Sequence, residues 1–178
     1  MYLNGMGLRG IERVTEIHHT TVMHWIREAG HQLPDAPKLE EIPEVTDLDE
    51  LQTFVGRKRN KLWIWTAVNH KQAGILGWAM GDRSAQTFKP LWSIIKCWQC
   101  FFYVTDGWSV YPIFIEDGAH IVSKTYMTRV EGENTRLRHY LARLHRKTLC
   151  YSKSVEILKC SLRLLLHYLK YRAVPLPA

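Results

Sequence analysis

Residues 101–108 have the sequence FFYVTDGW, in which an apolar run ends abruptly at Asp106 and Gly107. Such a run is typical of a buried strand, so Asp106 is expected to project a carboxylate from the edge of a sheet. Two further carboxylates, Asp49 upstream and Glu131 downstream, complete a set of three oxygen ligands. Because Mg²⁺ prefers oxygen ligands held by rigid elements, this set predicts a magnesium site.

The segments around this strand predict an α/β fold with a mixed sheet. The expected order is three strands, a helix, the strand that ends at Asp106, a further strand and a helix. The strands and the first helix lie in the run around Asp49, in LWIWTAV (62–68), GILGWAM (74–80), SAQTFKPLWSIIK (84–96) and AHIVSK (119–124). Pro90 either kinks or restarts that helix. Because the helix makes a crossover connection, the strands of Asp49 and Asp106 can lie parallel and bring the two carboxylates together.

Two amphipathic helices are predicted in the last third of the chain. The first extends from Val130 to Arg146, with an apolar stripe formed by Val130, Leu137, Leu141 and Leu144. Glu131 adjoins this stripe and is expected beside the core, whereas Glu133, about 200° around the helix, is expected in solvent. Arg138 belongs to a cationic face suited to phosphates. The second helix repeats apolar residues at positions 155, 158, 162, 165 and 169.

Residues 8–27 predict two short helices separated by a turn, which is a helix-turn-helix pattern, with a plain helical hairpin as the alternative. His19, Thr21, His24 and Arg27 are expected on the outward face of the second helix, from which they can reach phosphates or base edges. The Pro-rich, acidic stretch from Gly30 to Glu44 predicts an extended linker. We therefore predict a helix-turn-helix arm at 1–30, a linker at 31–46 and a main domain at 47–178.

The charge is unevenly distributed. Residues 51–178 carry twenty Lys and Arg against seven acids, a net charge of +13, whereas residues 31–50 carry one Lys against seven acids. A domain this basic favours a polyanion such as DNA, because counterions released from phosphates add to affinity; an ordinary basic enzyme is the alternative. The GRKRNK segment at 56–61 predicts a hairpin tip that either contacts DNA or keeps a sheet edge soluble. Its cations are Arg57, Lys58, Arg59 and Lys61.

The sequence predicts neither a membrane span nor disulfide chemistry. No run approaches the roughly 20 apolar residues of a spanning helix, and the first residues lack a signal peptide, so we expect a cytoplasmic, nucleoid-associated protein. Cys97 and Cys100 have C-x-x-C spacing, but Cys150 and Cys160 do not complete a zinc set. Reduced, buried thiols are expected.

Several segments together resemble the transposases of the insertion sequence 1 family. They are LDELQTFVG (48–56), VTDGW (104–108), HIVSK (120–124), TRVEGENTRLRHYLARLHRK (128–147) and YSKSVE (151–156), with GLRGIERV (7–14) and HHTTVMHWI (18–26) upstream. The resemblance covers nearly the whole chain. It implies a ribonuclease-H-like fold: a mixed sheet with flanking helices, preceded by the helix-turn-helix arm.

The resemblance also implies a catalytic role for Asp49, Asp106 and Glu131 as the DDE set. Members bind Mg²⁺, for which Mn²⁺ can substitute, cut DNA at the ends of the element and join the 3′-hydroxyl to target DNA. Asp47, Glu50 and Glu133 stand beside these carboxylates, so a shifted assignment stays open. His120 is expected to support the site or to be a structural histidine, and Lys124 and Arg129 are expected to hold phosphates.

The resemblance implies double-stranded DNA as the partner, bound by a homo-oligomer. Members commonly carry a cysteine-rich segment before the helix-turn-helix, and this chain starts almost inside that motif, so we expect a shortened arm. Two alternatives remain: a DNA-binding protein derived from a transposase and lacking catalysis, or a ribonuclease-H-like nuclease that cuts without joining.

Overall fold

The computed structural model describes residues 1–145 and 147–175. Its helices and strands are α1 (Leu8–Thr15), α2 (His19–Gln32), β1 (Val45–Phe54), β2 (Lys61–Asn69), β3 (Ile75–Gly81), α3 (Ala85–Ile95), β4 (Phe102–Thr105), β5 (His120–Val122), α4 (Thr128–Tyr140) and α5 (Val155–Tyr171). Short 3₁₀ turns connect several of them. Within these two ranges, every helix is too short or too polar to cross a membrane.

The five strands form one mixed sheet in the order β3-β2-β1-β4-β5. β2 and β3 pair antiparallel, whereas β1 pairs parallel with β4, and β4 pairs parallel with β5. As predicted, α3 is the crossover element between β3 and β4. The predicted α/β class is confirmed, and the sheet with its flanking helices is consistent with the ribonuclease-H-like fold.

An aromatic core fixes α3 against the sheet. Phe88 of α3 lies 5.1 Å from Trp65 of β2 and 5.4 Å, edge to face, from Tyr111, measured between ring centroids. All three side chains are fully buried. Offset and edge-to-face arrangements suit the quadrupoles of the rings and add to the stabilisation gained from buried area. α3 is continuous through Pro90, so neither a restart nor a break of the helix occurs there.

Two compact units can be described separately. The sheet unit comprises Lys38–Thr53 and Lys61–Asn134. The helical unit comprises Met1–Pro37, Phe54–Asn60 and the described residues from Thr135 onward. The three carboxylates of the predicted magnesium site all belong to the sheet unit.

In the helical unit, α1 and α2 are the two predicted helices separated by a turn, and α2 packs against α5. Glu16 adopts a left-handed conformation (φ 60°) in the turn, where no glycine is available. The extended linker predicted from Gly30 begins later, because α2 continues to Gln32. The apolar repeat of α5 is confirmed at its centre, since Leu158, Leu162 and Leu165 are fully buried.

The prediction that α4 extends to Arg146 is wrong. The helix ends at Tyr140, Leu141 adopts an extended conformation, and a 3₁₀ turn follows at Ala142–Leu144. The backbone N–H of Gly5 donates to the Tyr140 carbonyl at 2.9 Å, which satisfies one of the acceptors left open at a helix end. Leu141 and Leu144 are nevertheless buried, so they continued the apolar pattern beyond the helix. Arg146 itself lies outside the described residues.

Candidate active site

Parallel pairing of β1 and β4 brings Asp49 and Asp106 to neighbouring positions. The register aligns Asp47 with Val104, and Asp49 and Asp106 each follow two residues later. Asp106 lies just beyond the end of β4, in the turn that leaves the sheet. The register therefore brings these two residues together at one part of the sheet, as predicted.

Gly107 allows the chain to turn sharply after Asp106. Its φ is +81°, and a Cβ atom there would lie 2.7 Å from a methyl group of Val122. Both the conformation and the close approach require glycine. The turn is closed by Asp106 itself, whose Oδ1 accepts a hydrogen bond from the backbone N–H of Trp108 at 2.9 Å. This bond limits the rotation of the carboxylate before any ligand binds.

The side chain of Asn134 holds Asp49 in place. Asn134 Nδ2 donates to Asp49 Oδ2 at 2.7 Å, and Asn134 Oδ1 accepts from the Thr66 hydroxyl at 3.1 Å. The amide thereby links α4 to β1 and β2. Asn134 and Thr66 were not among the candidates from the sequence. Asn134 lies in the family-like segment 128–147, but no spacing along the chain indicates that its side chain contacts Asp49.

The environment of Asp49 is unfavourable to negative charge. Burial raises the pKa of Asp49 to about 6, and the charges of Glu50 and Asp106 contribute to this increase. Hydrogen bonds from the Glu50 backbone and from Asn134 oppose it. Carboxylates whose pKa is raised by burial and by like charges are common where a cation or a proton is bound.

The expected orientations of Glu131 and Glu133 are wrong. Glu131 is exposed, whereas Glu133 is 5% exposed and its Oε1 accepts a hydrogen bond from the backbone N–H of Gly74 at 3.1 Å. The apolar stripe was correctly placed, but the loop between β2 and β3 covers the side of α4 that was expected to face solvent. Glu131 lies three residues before Asn134, so the two side chains are neighbours on the helix surface.

A second group of polar side chains surrounds Glu50, another buried carboxylate of β1. Its Oε1 accepts from Arg83 Nε at 2.6 Å, and its Oε2 accepts from the Tyr111 hydroxyl at 2.7 Å. The guanidinium of Arg83 stacks 3.6 Å from the ring centroid of Trp108 and lies 3.9 Å from Asp106 Oδ2. Burial raises the pKa of Glu50, although Tyr111 and Arg83 oppose this change. No sequence pattern pointed to Arg83, because only the fold brings its turn beside β1.

Two other candidates already have local partners. His120 Nε2 lies 2.7 Å from the Thr105 hydroxyl, whose oxygen also accepts from the Gly107 N–H at 3.0 Å. His120 therefore supports the turn that carries Asp106, and burial lowers its pKa. Asp47, considered as a shifted ligand, is fully buried and bonded through Oδ1 to His70 Nδ1 at 2.8 Å.

The predicted DNA-contacting residues differ in accessibility. Seven of them are exposed: Thr21, His24, Arg57, Lys58, Arg59, Lys61 and Lys124. Arg129 is also exposed, and its charge acts on Asp47. Arg27 is half-buried, with Nε 3.3 Å from Glu156 Oε1, and Arg138 is half-buried as well. The exposed cations are therefore the ones available to a phosphate backbone.

Comparison with known proteins gives one consistent family. The family model of the IS1 transposase matches residues 44–173, which include Asp49, Asp106 and Glu131 but exclude α1 and α2. The insertion element iso-IS1n protein InsB of Shigella dysenteriae is 34% identical over 113 residues, which cover 64% of this chain and 86% of that protein. The insertion element IS1 protein InsB of Shigella flexneri is 34% identical over 111 residues, covering 62% and 85%.

A further relative, the insertion element IS1 1 protein InsB of Escherichia coli K12, is also 34% identical over 111 residues, covering 62% of this chain and 66% of its own. The family match thus begins one residue before β1 and extends through α4 to the end of α5. It contains the sheet, the two neighbouring aspartates and the helix that holds Asp49 in place. This chain belongs to the IS1 transposase family.

Proposed function

We propose that this protein cleaves DNA at the ends of an insertion element and transfers the 3′-hydroxyl to target DNA, using Asp49, Asp106 and Glu131 as ligands of Mg²⁺. Its family makes it a transposase of an insertion sequence that acts on DNA. The observation that carries the catalytic assignment is the adjacency of Asp49, on β1, and Asp106, directly after the parallel strand β4.

The donor set suits a hard dication. Asp49 and Asp106 supply carboxylate oxygens from a strand and from a tight turn, and Glu131 is an exposed carboxylate on α4. Burial, with smaller contributions from the charges of Glu50 and Asp106, raises the pKa of Asp49, and a bound dication would favour its ionised form. Mg²⁺ held by these carboxylates would supply positive charge to activate the attacking water or hydroxyl and to stabilise the leaving oxygen of a phosphoryl displacement. Mn²⁺, which accepts the same oxygen ligands, is expected to substitute.

The structure supports Glu131 as the third ligand for a different reason from the one suggested by the sequence. Glu133 is engaged with the loop between β2 and β3, whereas Glu131 is exposed beside Asn134, the residue that contacts Asp49. Glu131 is therefore the carboxylate of α4 that an ion from solution can reach, whereas Glu133 is 5% exposed. The resemblance of the segment around Glu131 to the family implies the same residue.

Other residues hold the two aspartates in position or bind the phosphates of the DNA. Asn134 holds the Asp49 carboxylate, and the turn closed by Trp108 N–H holds that of Asp106. Lys124 and Arg129 are exposed cations close in sequence to Glu131, suited to holding the phosphates that flank the reacting one. We also propose that a homo-oligomer binds the DNA, since two ends must be held together for joining.

Strand transfer measured with Mg²⁺ and the DNA ends that flank the gene tests this mechanism. We expect Asp49→Asn, Asp106→Asn and Glu131→Gln each to reduce cleavage and joining by roughly three orders of magnitude or more, because catalytic groups act as a unit. DNA affinity and folding should change little, since the lost interaction acts chiefly in the transition state.

Glu133→Gln is the matched control, because glutamine keeps a carbonyl oxygen that can accept the Gly74 N–H. It should retain most of the activity at equal DNA occupancy. If Glu133→Gln is inactive and Glu131→Gln active, the third ligand is wrongly assigned. A wild-type protein that binds ends without cutting would be a DNA-binding derivative, and cutting without joining would identify a nuclease.

A further inference from the structure

The turn between α1 and α2 contains a second group of metal-ligating side chains. Glu12, His18 and His19 each place one ligand atom within 4.8 Å of the other two, and no other such group of three occurs in residues 1–145 and 147–175. All three belong to the helical unit, so the group is separate from the carboxylates of the sheet unit. We propose that Glu12, His18 and His19 bind a divalent transition-metal ion of the zinc class, which links α1 to α2.

The distances are close to those of a metal centre. His19 Nδ1 lies 2.9 Å from Glu12 Oε2, and His18 Nε2 lies 3.6 Å from Glu12 Oε1. Zinc bonds of about 2.0–2.2 Å to nitrogen and oxygen in a tetrahedron separate neighbouring ligand atoms by about 3.4 Å. The two separations lie on either side of this value, and the three ligand atoms lie within 4.8 Å of one another, so rotation of the side chains would bring them onto one ion.

The local fold creates this proximity from residues seven positions apart. Glu12 lies in the second half of α1, which ends at Thr15. The left-handed conformation of Glu16 then reverses the chain, so that His18 caps α2 and His19 is its first residue. Glu12 and His19 therefore face each other across the turn. A bound ion would restrain the angle between the two helices.

The chemistry of the three side chains suits zinc better than magnesium. Two imidazoles and one carboxylate are typical ligands of zinc sites, whereas magnesium prefers oxygen ligands and retains water. The Thr20 hydroxyl lies 2.7 Å from His18 Nδ1. When Nε2 binds the metal, Nδ1 carries the proton and donates to this hydroxyl oxygen, which replaces the longer bond of 3.4 Å that Nδ1 accepts from the Thr20 backbone N–H. Three protein ligands leave a fourth position for water.

The three side chains are accessible from solution. The side chains of Glu12 and His19 are each 30% exposed and that of His18 is 61% exposed, so an ion from solution can reach them. The alternative is that these groups form only an ion pair and hydrogen bonds among themselves.

Calorimetric titration of the full chain with Zn²⁺ distinguishes a metal site from an ion pair with hydrogen bonds alone. We expect the wild type to bind one equivalent of Zn²⁺. Glu12→Gln and the double variant His18→Ala, His19→Ala should each bind Zn²⁺ at least about 100-fold more weakly, since even changes to residues that only contact a ligand lower metal affinity by about 10–100-fold. His24→Ala is the control, because His24 is an exposed histidine of α2 that pairs with Glu28 instead. It should bind like the wild type.

Co²⁺ is the second probe, because its visible spectrum separates nitrogen and oxygen ligation from ligation by thiolates, which gives an intense near-ultraviolet band. We expect the wild type with Co²⁺ to show a visible spectrum that lacks the thiolate band, and we expect this visible spectrum to disappear in Glu12→Gln. Circular dichroism of each metal-free variant checks that the fold is retained. The proposal is overturned if wild type and Glu12→Gln bind Zn²⁺ equally, if His24→Ala loses as much affinity as the double variant, or if Co²⁺ is bound by thiolates.

Discussion

Arg83 compensates a buried negative charge beside the candidate active site. The side chain of Glu50 is 1% exposed, and Arg83 and Tyr111 are its hydrogen-bonding partners. Arg83 is itself 29% exposed and stacks on Trp108, which follows Asp106 closely in the chain. Removing one partner of a buried ion pair is costly, because the remaining charge stays away from water without compensation.

We therefore expect Arg83→Met to lower the free energy of unfolding by about 3 kcal/mol, near the low end of the range for broken buried pairs because Arg83 is partly exposed. Unfolding in urea, followed by circular dichroism, measures this change. Adding Glu50→Gln to Arg83→Met should restore part of the stability, since the uncompensated charge is then gone. Lys89→Met, which removes an exposed cation of α3, serves as control. Equal effects of Arg83→Met and Lys89→Met would contradict this role of Arg83.

At the level of elements, the packing of α2 against α5 depends on a glycine. Gly30 is buried in α2, and a Cβ atom at this position would lie 2.4 Å from Cys160 Cβ and 2.6 Å from Cys160 Cα. Because one of these atoms belongs to the backbone of α5, a side-chain rotation cannot relieve the overlap. The two helices must separate or shift if residue 30 is larger than glycine.

Gly30→Ala should therefore destabilise the protein by about 1–3 kcal/mol, the usual cost of overpacking a close contact. Gly132→Ala in α4 is the matched control, because nothing lies within 4 Å of its added Cβ. It should stabilise by roughly 0.5–1 kcal/mol, since alanine has the higher helix propensity. Thermal unfolding of both variants provides the comparison. Stabilisation by Gly30→Ala would contradict the close approach of α2 and α5.

For the whole molecule, the uneven distribution of charge predicts how DNA affinity responds to salt. The net charge of +13 in residues 51–178 includes Arg57, Lys58, Arg59 and Lys61, all exposed where β1 connects to β2. Cations that bind phosphates release counterions, so the logarithm of the affinity should fall steeply and linearly with the logarithm of the salt concentration. A flat response would contradict phosphate binding.

Combining Arg57→Gln with Lys58→Gln should reduce the steepness of this dependence by roughly 2, because each phosphate that a cation neutralises contributes about 0.9 to the slope. The control removes the same charge from α3 and the turn after it through Lys89→Gln and Lys96→Gln, both at exposed positions. Fluorescence anisotropy of labelled duplex DNA over a range of salt concentrations measures both slopes. If the two double variants change the slope equally, the connection between β1 and β2 has no specific role in holding DNA.

The sequence by itself determined the order of the elements and two members of the candidate site. Apolar alternation marks strands, and helical spacing marks α3 and α5, because these patterns depend only on which face of an element is buried. Asp106 was identifiable because an apolar strand ends at an Asp-Gly turn. The crossover by α3 then allowed β4 to lie parallel to β1, which brought Asp49 beside Asp106.

Only the tertiary structure decided which groups contact these carboxylates and how α4 is oriented. Helical periodicity placed Glu131 and Glu133 on opposite sides but assigned the wrong one to solvent, because the loop that covers Glu133 comes from a distant part of the sequence. Asn134 and Arg83 become partners of Asp49 and Glu50 across 85 and 33 residues. The spacing of apolar residues along one helix or strand indicates which face is buried. The choice of hydrogen-bonding partner depends on where other elements pack, and that spacing contains no information about their positions.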